Sequence, residues 1–223
     1  MRPLEVRRLG VVPYADALTM QRALVEERRA DRIPDLLLLL QHPPVITLGV
    51  KGDGGRSNII ATDERCALLG ITVSETGRGG DVTYHGPGQI VGYPILDLRP
   101  DRCDVHRYVR DLEEVMIRCC GDHGVTAGRI KGLTGTWIGR EKIGAIGVRI
   151  SRWITSHGFA FNVSTDLDHF KLIVPCGIAD HGVTSLERAT GRRLSIVDVE
   201  DAVVTHFCEV VARDVAETAR QGA

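Results

Sequence analysis

The sequence predicts a mixed β-sheet with helices packed against it. Short apolar segments typical of strands are concentrated in the middle of the chain, and segments with helical periodicity flank them without strict β-α-β alternation. Apolar residues make up 43% and charged residues 26% of the chain, which is ordinary for a globular protein. We therefore expect an α/β chain of the α+β type, with a single domain over residues 1–223.

Apolar runs and two-residue alternation identify the strands. Leucine fills all five positions of residues 36–40, between Pro34 and Pro43, as expected of a strand buried on both faces. The other predicted strands cover residues 4–12, 45–50, 71–76, 81–98 with a break at 86–88, 135–139, 142–150 and 159–163.

Capping residues and apolar periodicity identify the helices. Thr62, Asp104 and Ser195 are candidate N-caps, because each has a side-chain oxygen that can accept a hydrogen bond from a free backbone N–H. The predicted helices cover residues 14–32, 62–69, 104–121 and 195–218. We expect the last of these to pack on the domain as a C-terminal helix.

Charge and cysteine usage exclude several classes of protein. The net charge of −1 provides no basic field for nucleic acid or for a membrane surface. The longest leucine run is far shorter than a membrane span, and the charged N-terminal residues do not resemble a signal peptide. The six cysteines show no Cys-x-x-Cys spacing, so we predict free thiols in the cytoplasm and no metal site.

Cys176 is the first candidate for chemistry. It lies between Pro175 and Gly177, after the apolar residues 172–174. Proline restricts one backbone torsion and glycine frees the next, so a sharp, exposed turn is expected. Such a turn suits a nucleophile better than a packing residue.

Lys142 is the second candidate, in a chain where only four of the 28 basic residues are lysines. A two-residue period predicts that Lys142 shares one strand face with Gly144, Ile146 and Val148. That face is otherwise apolar or small. A lysine reaching out from a strand end to solvent is the alternative at this point.

Two further segments combine small and polar residues. Residues 78–89 read Arg-Gly-Gly-Asp-Val-Thr-Tyr-His-Gly-Pro-Gly-Gln, either a loop whose backbone approaches a ligand closely or an ordinary glycine-rich turn. The loop lacks the Gly-Lys-Ser/Thr of a nucleotide-binding P-loop. Residues 157–162 read His-Gly-Phe-Ala-Phe-Asn, and their small side chains would suit the floor of a groove or a β-bulge.

Taken in order, these motifs resemble those of the lipoyl(octanoyl) transferases. The resemblance rests on residues 78–89, on Lys-Ile-x-x-x-Gly-x-Arg at 142–149, on residues 157–162 and on Pro-Cys-Gly-Ile at 175–178. With flanking matches it extends over residues 36–186. Ile46, where the family often has an aromatic residue, is the departure, and we expect it to affect packing only.

The resemblance implies the biotin/lipoate protein ligase-like fold and a set of site residues. Cys176 would form an acyl-thioester, and Lys142 would activate it. The implied acyl-binding residues are Arg78, Gly79, Gly80, Asp81, Val82, Thr83, Tyr84, His85, Ala145, Ile146, Gly147, Gly158, Phe159 and Ala160.

The resemblance also implies a reaction and its partners. An octanoyl or lipoyl group would pass from acyl carrier protein to Cys176. It would then pass to a lysine of an apo lipoyl domain, in 2-oxoacid dehydrogenase complexes or the glycine cleavage H protein. Because a thioester is converted to an amide, neither ATP nor a metal is expected as a cofactor. We expect a cytoplasmic monomer.

Three other functions remain open from the sequence. An ATP-dependent lipoate or biotin protein ligase would have the same fold and would need no cysteine. A Cys–His thioester hydrolase would use His85 or His157 as its base and release free octanoate. A lipoyl-domain binding module without catalytic activity would acquire no acyl mass.

Overall fold

The computed structural model describes residues 2–51, 56–174 and 181–220 of the 223-residue chain. Cys176 therefore lies outside the described residues. Five α-helices occupy this part of the chain: α1 (Tyr14–Arg29), α2 (Asp63–Leu68), α3 (Val105–Asp122), α4 (Leu186–Thr190) and α5 (Ile196–Val211). Among the helices described, none combines the length and the apolar composition that crossing a bilayer requires.

Eleven strands are found in the same residues. They are β1 (Arg2–Val11), β2 (Asp35–Gln41), β3 (Val45–Leu48), β4 (Thr72–Glu75), β5 (Thr83–His85), β6 (Gln89–Ile95), β7 (Thr136–Ile138), β8 (Glu141–Ser151), β9 (Ile154–Asn162), β10 (Gly182–Val183) and β11 (Arg213–Arg220). Short 3₁₀ helices cover Arg56–Asn58 and Leu167–Leu172.

The strands form two sheets. The larger has the order β10-β8-β9-β6-β2-β1-β11, with β7 also paired to β8, and the smaller has the order β4-β3-β5. Neighbours in the larger sheet are parallel for β11, β1 and β2 and antiparallel from β2 through β6 and β9 to β8. The predicted mixed sheet with flanking helices is confirmed.

The leucine run of β2 explains how helices cover both faces of the larger sheet. Leu36, Leu38 and Leu40 pack with residues of α1, whereas Leu37 and Leu39 pack with residues of α3 and α5. Because successive strand residues point to opposite faces, a strand between two helical layers must be apolar at every position. All five leucines are fully buried.

The predicted helix caps are confirmed. Thr62, Asp104 and Ser195 each accept a hydrogen bond from the backbone N–H three residues further on, at 3.0–3.3 Å. Each contact satisfies one of the backbone donors that a helix leaves unpaired in its first turn. Each of these three helix starts could therefore be predicted from its capping residue alone.

The predicted C-terminal helix over residues 195–218 is too long. Helix α5 ends at Val211, and Ala212 adopts a left-handed backbone with φ of 51°. The chain then continues as β11, which pairs in parallel with β1. Arg213 anchors this change of direction, because its Nε donates to the buried carboxylate of Asp35 at 2.8 Å.

Candidate active site

A cavity of about 430 Å³ lies between the larger sheet and the loop that enters the smaller sheet. Its wall includes all of the predicted acyl-binding residues except Tyr84. Tyr84 lies on the opposite face of β5 from its neighbours, because side chains alternate along a strand. Its hydroxyl contacts Nδ1 of His169 at 2.7 Å, and its ring packs against Phe170.

Small side chains form the floor of the cavity. Ala145 of β8 lies opposite Ala160 of β9, which lies opposite Val91 of β6. Further along the same two strands, Gly147 lies opposite Gly158. The small side chains of Ala145 and Ala160 leave apolar space above the sheet, and a groove floor was one of the two roles predicted for residues 157–162.

The loop at residues 78–80 covers this floor at very short range. The backbone N–H of Gly79 donates to the carbonyl of Val148 at 3.0 Å. A Cβ atom placed on Gly147 would lie only 2.9 Å from the carbonyl oxygen of Gly79. Arg78 holds the loop in place by donating to the carbonyl and the hydroxyl of Thr47. Position 147 must therefore be glycine, because a side chain there would collide with the loop at residues 78–80.

Lys142 lines the cavity, but not on the strand face that the two-residue period predicts. The pairing of β7 with β8 shifts by one residue at this point, because Trp137 lies opposite Lys142 and Thr136 opposite Gly144. The extra residue, Ile143, is fully buried in the core beside α3. Lys142 therefore lines the cavity with Ala145.

Gly144 does not contribute to the cavity, contrary to the face predicted for it. A Cβ atom at this position would meet the Sδ atom of Met116 in α3. A β-bulge inserts one extra residue into a strand. The alternation of side chains therefore shifts by one, and residues before the bulge lie on the opposite face from the one that simple alternation predicts. The prediction that Lys142 shares a face with Gly144 is wrong for this reason, although Ile146 and Val148 line the same cavity as Lys142.

Two contacts position Lys142. Its Nζ lies 4.7 Å from the centre of the Trp137 ring, a cation–π geometry. Its carbonyl accepts a hydrogen bond from the N–H of Thr184 at 3.0 Å, and Val183 pairs with it in parallel. The strand that follows Cys176 in sequence therefore lies directly beside Lys142.

A chain of buried hydrogen bonds connects this strand to the glycine-rich loop. His85 Nδ1 donates to Gln89 at 2.6 Å, Gln89 donates to Asn162 at 2.9 Å, and Asn162 donates to the carbonyl of Thr184 at 3.0 Å. All four side chains are at most 6% exposed. Gln89 and Asn162 end two of the sequence motifs, but no site role was predicted for them.

Histidine and tyrosine side chains occupy another part of the cavity wall. Burial lowers the pKa of His157 to about 4, and it lowers the pKa of His85 well below its usual value. Behind the wall, His42 bridges the carbonyl of Val12 and the hydroxyl of Tyr93 at 2.7 and 2.8 Å. Burial also lowers the pKa of His42 to about 4. These imidazoles are neutral at pH 7.

The structure thus brings Lys142 and thirteen of the predicted acyl-binding residues to one cavity. Their roles in catalysis and binding stay predictions, and Cys176 lies outside the described residues. Tyr14 and Tyr93 also line the cavity and were not predicted. Among the described residues, no group of three or more His, Cys, Asp and Glu side chains is placed to hold a metal ion.

Comparisons of the sequence with known proteins give a consistent result. The model of the lipoyl protein ligase A/B catalytic domain matches residues 13–208. An octanoyltransferase of Myxococcus xanthus is 52% identical over 216 residues, which are 94% of this chain and 60% of that protein. An octanoyltransferase of Solibacter usitatus is 52% identical over 210 residues, which are 94% of each chain. The chain thus spans less than two thirds of the first of these relatives.

Solved structures of low sequence identity share the fold. A lipoate-protein ligase A bound with ATP superposes with a TM-score of 0.75 at 17% identity, covering 100% of this chain and 90% of the other. A biotin protein ligase from Aquifex aeolicus, in complex with biotin and ATP, gives 0.56 at 13% identity, covering 95% and 71%. The predicted biotin/lipoate protein ligase-like fold is confirmed, and the chain belongs to the octanoyltransferases of the lipoyl protein ligase A/B catalytic-domain family.

Proposed function

We propose that this transferase moves an octanoyl group from the thioester of acyl carrier protein, through Cys176, to a lysine of a lipoyl domain. The observation that carries the proposal is the cavity with a floor of small apolar residues and Lys142 in its wall. Ala145, Ala160 and Val91 offer an apolar surface to a straight acyl chain, and each methylene buried there contributes about 0.8 kcal/mol.

The chemistry needs a thiolate and a nearby cation. A free cysteine has a pKa of about 8.5, so little of it is ionised at neutral pH. A lysine ammonium close to the sulfur favours the charged form. Lys142 suits this role because the hydrogen bond from the Thr184 N–H to its carbonyl, its pairing with Val183 and the Trp137 ring fix its position.

The proposed cycle consists of two acyl transfers. The Cys176 thiolate attacks the donor carbonyl, the carbon–sulfur bond to phosphopantetheine breaks, and the released thiolate takes a proton from the Lys142 ammonium, which leaves Lys142 neutral. The acceptor amine then attacks the new thioester, an amide forms, and the Cys176 sulfur leaves. The acceptor nitrogen loses a proton that Lys142 can accept. Because a thioester is converted to an amide, we propose that no ATP or metal takes part.

The environment of the histidines disfavours the hydrolase alternative. An efficient general base has a pKa near the working pH. Burial holds the pKa of His157 at about 4 and that of His85 well below the usual value, so both are weak bases at pH 7. His85 is also held at both ring nitrogens, by Gln89 and by Thr47.

Intact-mass spectrometry tests the proposal directly. Incubation with octanoyl-acyl carrier protein, without ATP, should add one octanoyl group to the wild-type chain and none to Cys176→Ser. Cys103→Ser is the matched control, because Cys103 is an exposed free thiol away from the cavity wall. An adduct that survives Cys176→Ser, or transfer that requires ATP, would refute the thioester route.

The partners belong to the same proposal. The donor is octanoyl-acyl carrier protein, and the acceptors are lipoyl domains of 2-oxoacid dehydrogenase complexes and the glycine cleavage H protein. Adding an apo lipoyl domain to the acylated chain should move the octanoyl mass to that domain. Release of free octanoate instead would support the hydrolase. A monomeric state and a cytoplasmic location stay predictions.

A further inference from the structure

Two buried side chains on the cavity wall have polar atoms with unused hydrogen-bonding capacity. The hydroxyl of Tyr14 contacts the side chain of Thr76 and can make a second hydrogen bond, and Nδ1 of His157 has no hydrogen-bond partner among the described residues. The residues are only 6% and 4% exposed. Buried polar groups in folded proteins are nearly always hydrogen-bonded, and each exception calls for a ligand atom or a water as partner.

The neighbouring polar groups are already paired. The hydroxyl of Tyr93 is bound to His42 at 2.8 Å. His157 has a positive φ of 53°, and its backbone N–H donates to the side-chain oxygen of Gln21 at 2.7 Å. The ring centroids of His157 and Tyr93 are 6.3 Å apart, and that of Tyr14 is 5.1 Å from that of His42. Tyr14 and His157 thus flank the hydrogen-bonded pair of His42 and Tyr93.

These two groups lie far along the floor from Lys142. On β8, Gly147 is opposite Gly158, and Val148 is opposite His157. At about 3.3 Å per strand residue, Gly147 lies roughly 15 Å from Lys142, or somewhat less because of the bulge. If the acyl carbonyl lies near Lys142, as the proposed function requires, the distal end of the chain points toward Tyr14 and His157.

The chemistry of the pair favours a neutral hydroxyl as partner. The phenol can donate or accept a hydrogen bond, and Nδ1 of the neutral imidazole does one or the other according to its tautomer. A hydroxyl does both as well, whereas a terminal methyl group satisfies neither. Burial keeps the pKa of Tyr14 above and that of His157 below the usual values, so both groups are uncharged at pH 7.

We propose that Tyr14 and His157 form a hydrogen-bonding subsite at the distal end of the acyl cavity, which accepts medium-chain acyl groups carrying a terminal hydroxyl. This inference rests on the proposed function for the direction of the acyl chain. It extends the substrate class from straight-chain acyl groups to ω-hydroxyacyl groups of the same length.

Binding measurements test the subsite without requiring turnover. The probes are pantetheine amides of octanoic and 8-hydroxyoctanoic acid, which cannot transfer their acyl groups. Calorimetry gives the affinity of each, and the ratio of the two affinities is the readout. Tyr14→Phe should lower the relative affinity for the hydroxyl compound about five- to tenfold, the usual effect of one lost hydrogen bond. His157→Phe should change the ratio in the same direction.

Tyr108→Phe is the matched control. The Tyr108 hydroxyl is also buried and contacts a threonine side chain, that of Thr155, but Tyr108 lies in α3, in the core on the other face of the sheet. This variant should leave the affinity ratio unchanged. An unchanged ratio in Tyr14→Phe, or an equal fall in Tyr108→Phe, overturns the subsite. Failure of Cys176 to become acylated would refute the proposed function and leave the binding ratios interpretable.

Discussion

Replacing Asp35 with asparagine should destabilise the fold strongly. Asp35 is 2% exposed, and its two carboxylate oxygens accept hydrogen bonds from Arg28 and Arg213, both at 2.8 Å. The carboxylate therefore joins α1, β2 and β11. Its Oδ1 also accepts the N–H of Asp97 at 2.9 Å. The amide would leave Arg213 without a carboxylate partner among the described residues, whereas Arg28 keeps its contacts with Asp31 and Asp97.

The expected loss follows from this burial. Breaking a buried ion pair by neutralising one partner typically costs about 3–5 kcal/mol, because the remaining charge is left uncompensated. A domain of this kind has about 5–15 kcal/mol of total stability, so Asp35→Asn should remove a large part of it. At about 3 °C per kcal/mol, the midpoint of thermal unfolding should fall by about 10 °C.

Asp31→Asn provides the matched control for Asp35→Asn. Asp31 also binds Arg28, at 2.5 Å, but its side chain is 84% exposed. Exposed ion pairs contribute at most about 1 kcal/mol, so this variant should unfold almost like the wild type. Urea unfolding followed by circular dichroism measures both. Equal stability losses in the two variants, or a loss below about 1 kcal/mol for Asp35→Asn, would refute the reasoning.

Three further predictions concern the site and its support. The pKa values of His42 and His157 are about 4 in the folded chain and about 6.5 in the unfolded chain. Between about pH 6.5 and 4, these two imidazoles are therefore protonated in the unfolded chain but not in the folded chain. The unfolding free energy should therefore fall by up to about 3 kcal/mol per histidine as the pH drops through this window, measured by urea titration. Gly144→Ala should cost about 1–3 kcal/mol by crowding Met116, and a smaller residue at position 116 should recover part of that loss. Asn162→Leu should cost about 2–3 kcal/mol and speed hydrogen exchange at the end of β10.

Each of these has an outcome that contradicts it. Stability that is constant from pH 7 to 5 would mean that the histidines are not buried as described. A loss in Gly144→Ala that is unaffected by shortening Met116 would place the crowding elsewhere. Unchanged exchange at β10 in Asn162→Leu would show that the hydrogen bond to the Thr184 carbonyl does not hold that strand.

Much of the fold could be predicted from the sequence because its signals are local. The leucines of residues 36–40 indicate a strand buried on both faces, and Thr62, Asp104 and Ser195 mark helix starts. The end of α5 could not be predicted. The apolar periodicity gives no stop signal at Ala212, and the strand that follows is stabilised by pairing with β1, which is distant in sequence.

The site was predictable where residues are adjacent in sequence and not where they meet only in the fold. The small residues of 157–162 indicated a groove floor, and the family resemblance implied residues 145–147; the structure places both segments at one cavity. The bulge at Ile143 depends on pairing with β7 and inverted the face assigned to Lys142. Tyr14, Tyr93 and His157 come from three separate elements, so no local pattern reveals their proximity.

The parallel pairing of β11 with β1 has a consequence for handling the protein. β11 is the outermost strand at one end of the larger sheet, and it covers the backbone donors and acceptors of β1. A chain cut after Ala212 would present β1 as an open edge to a second molecule. Unpaired edges of this kind recruit other strands, so a shortened preparation should associate in a concentration-dependent way.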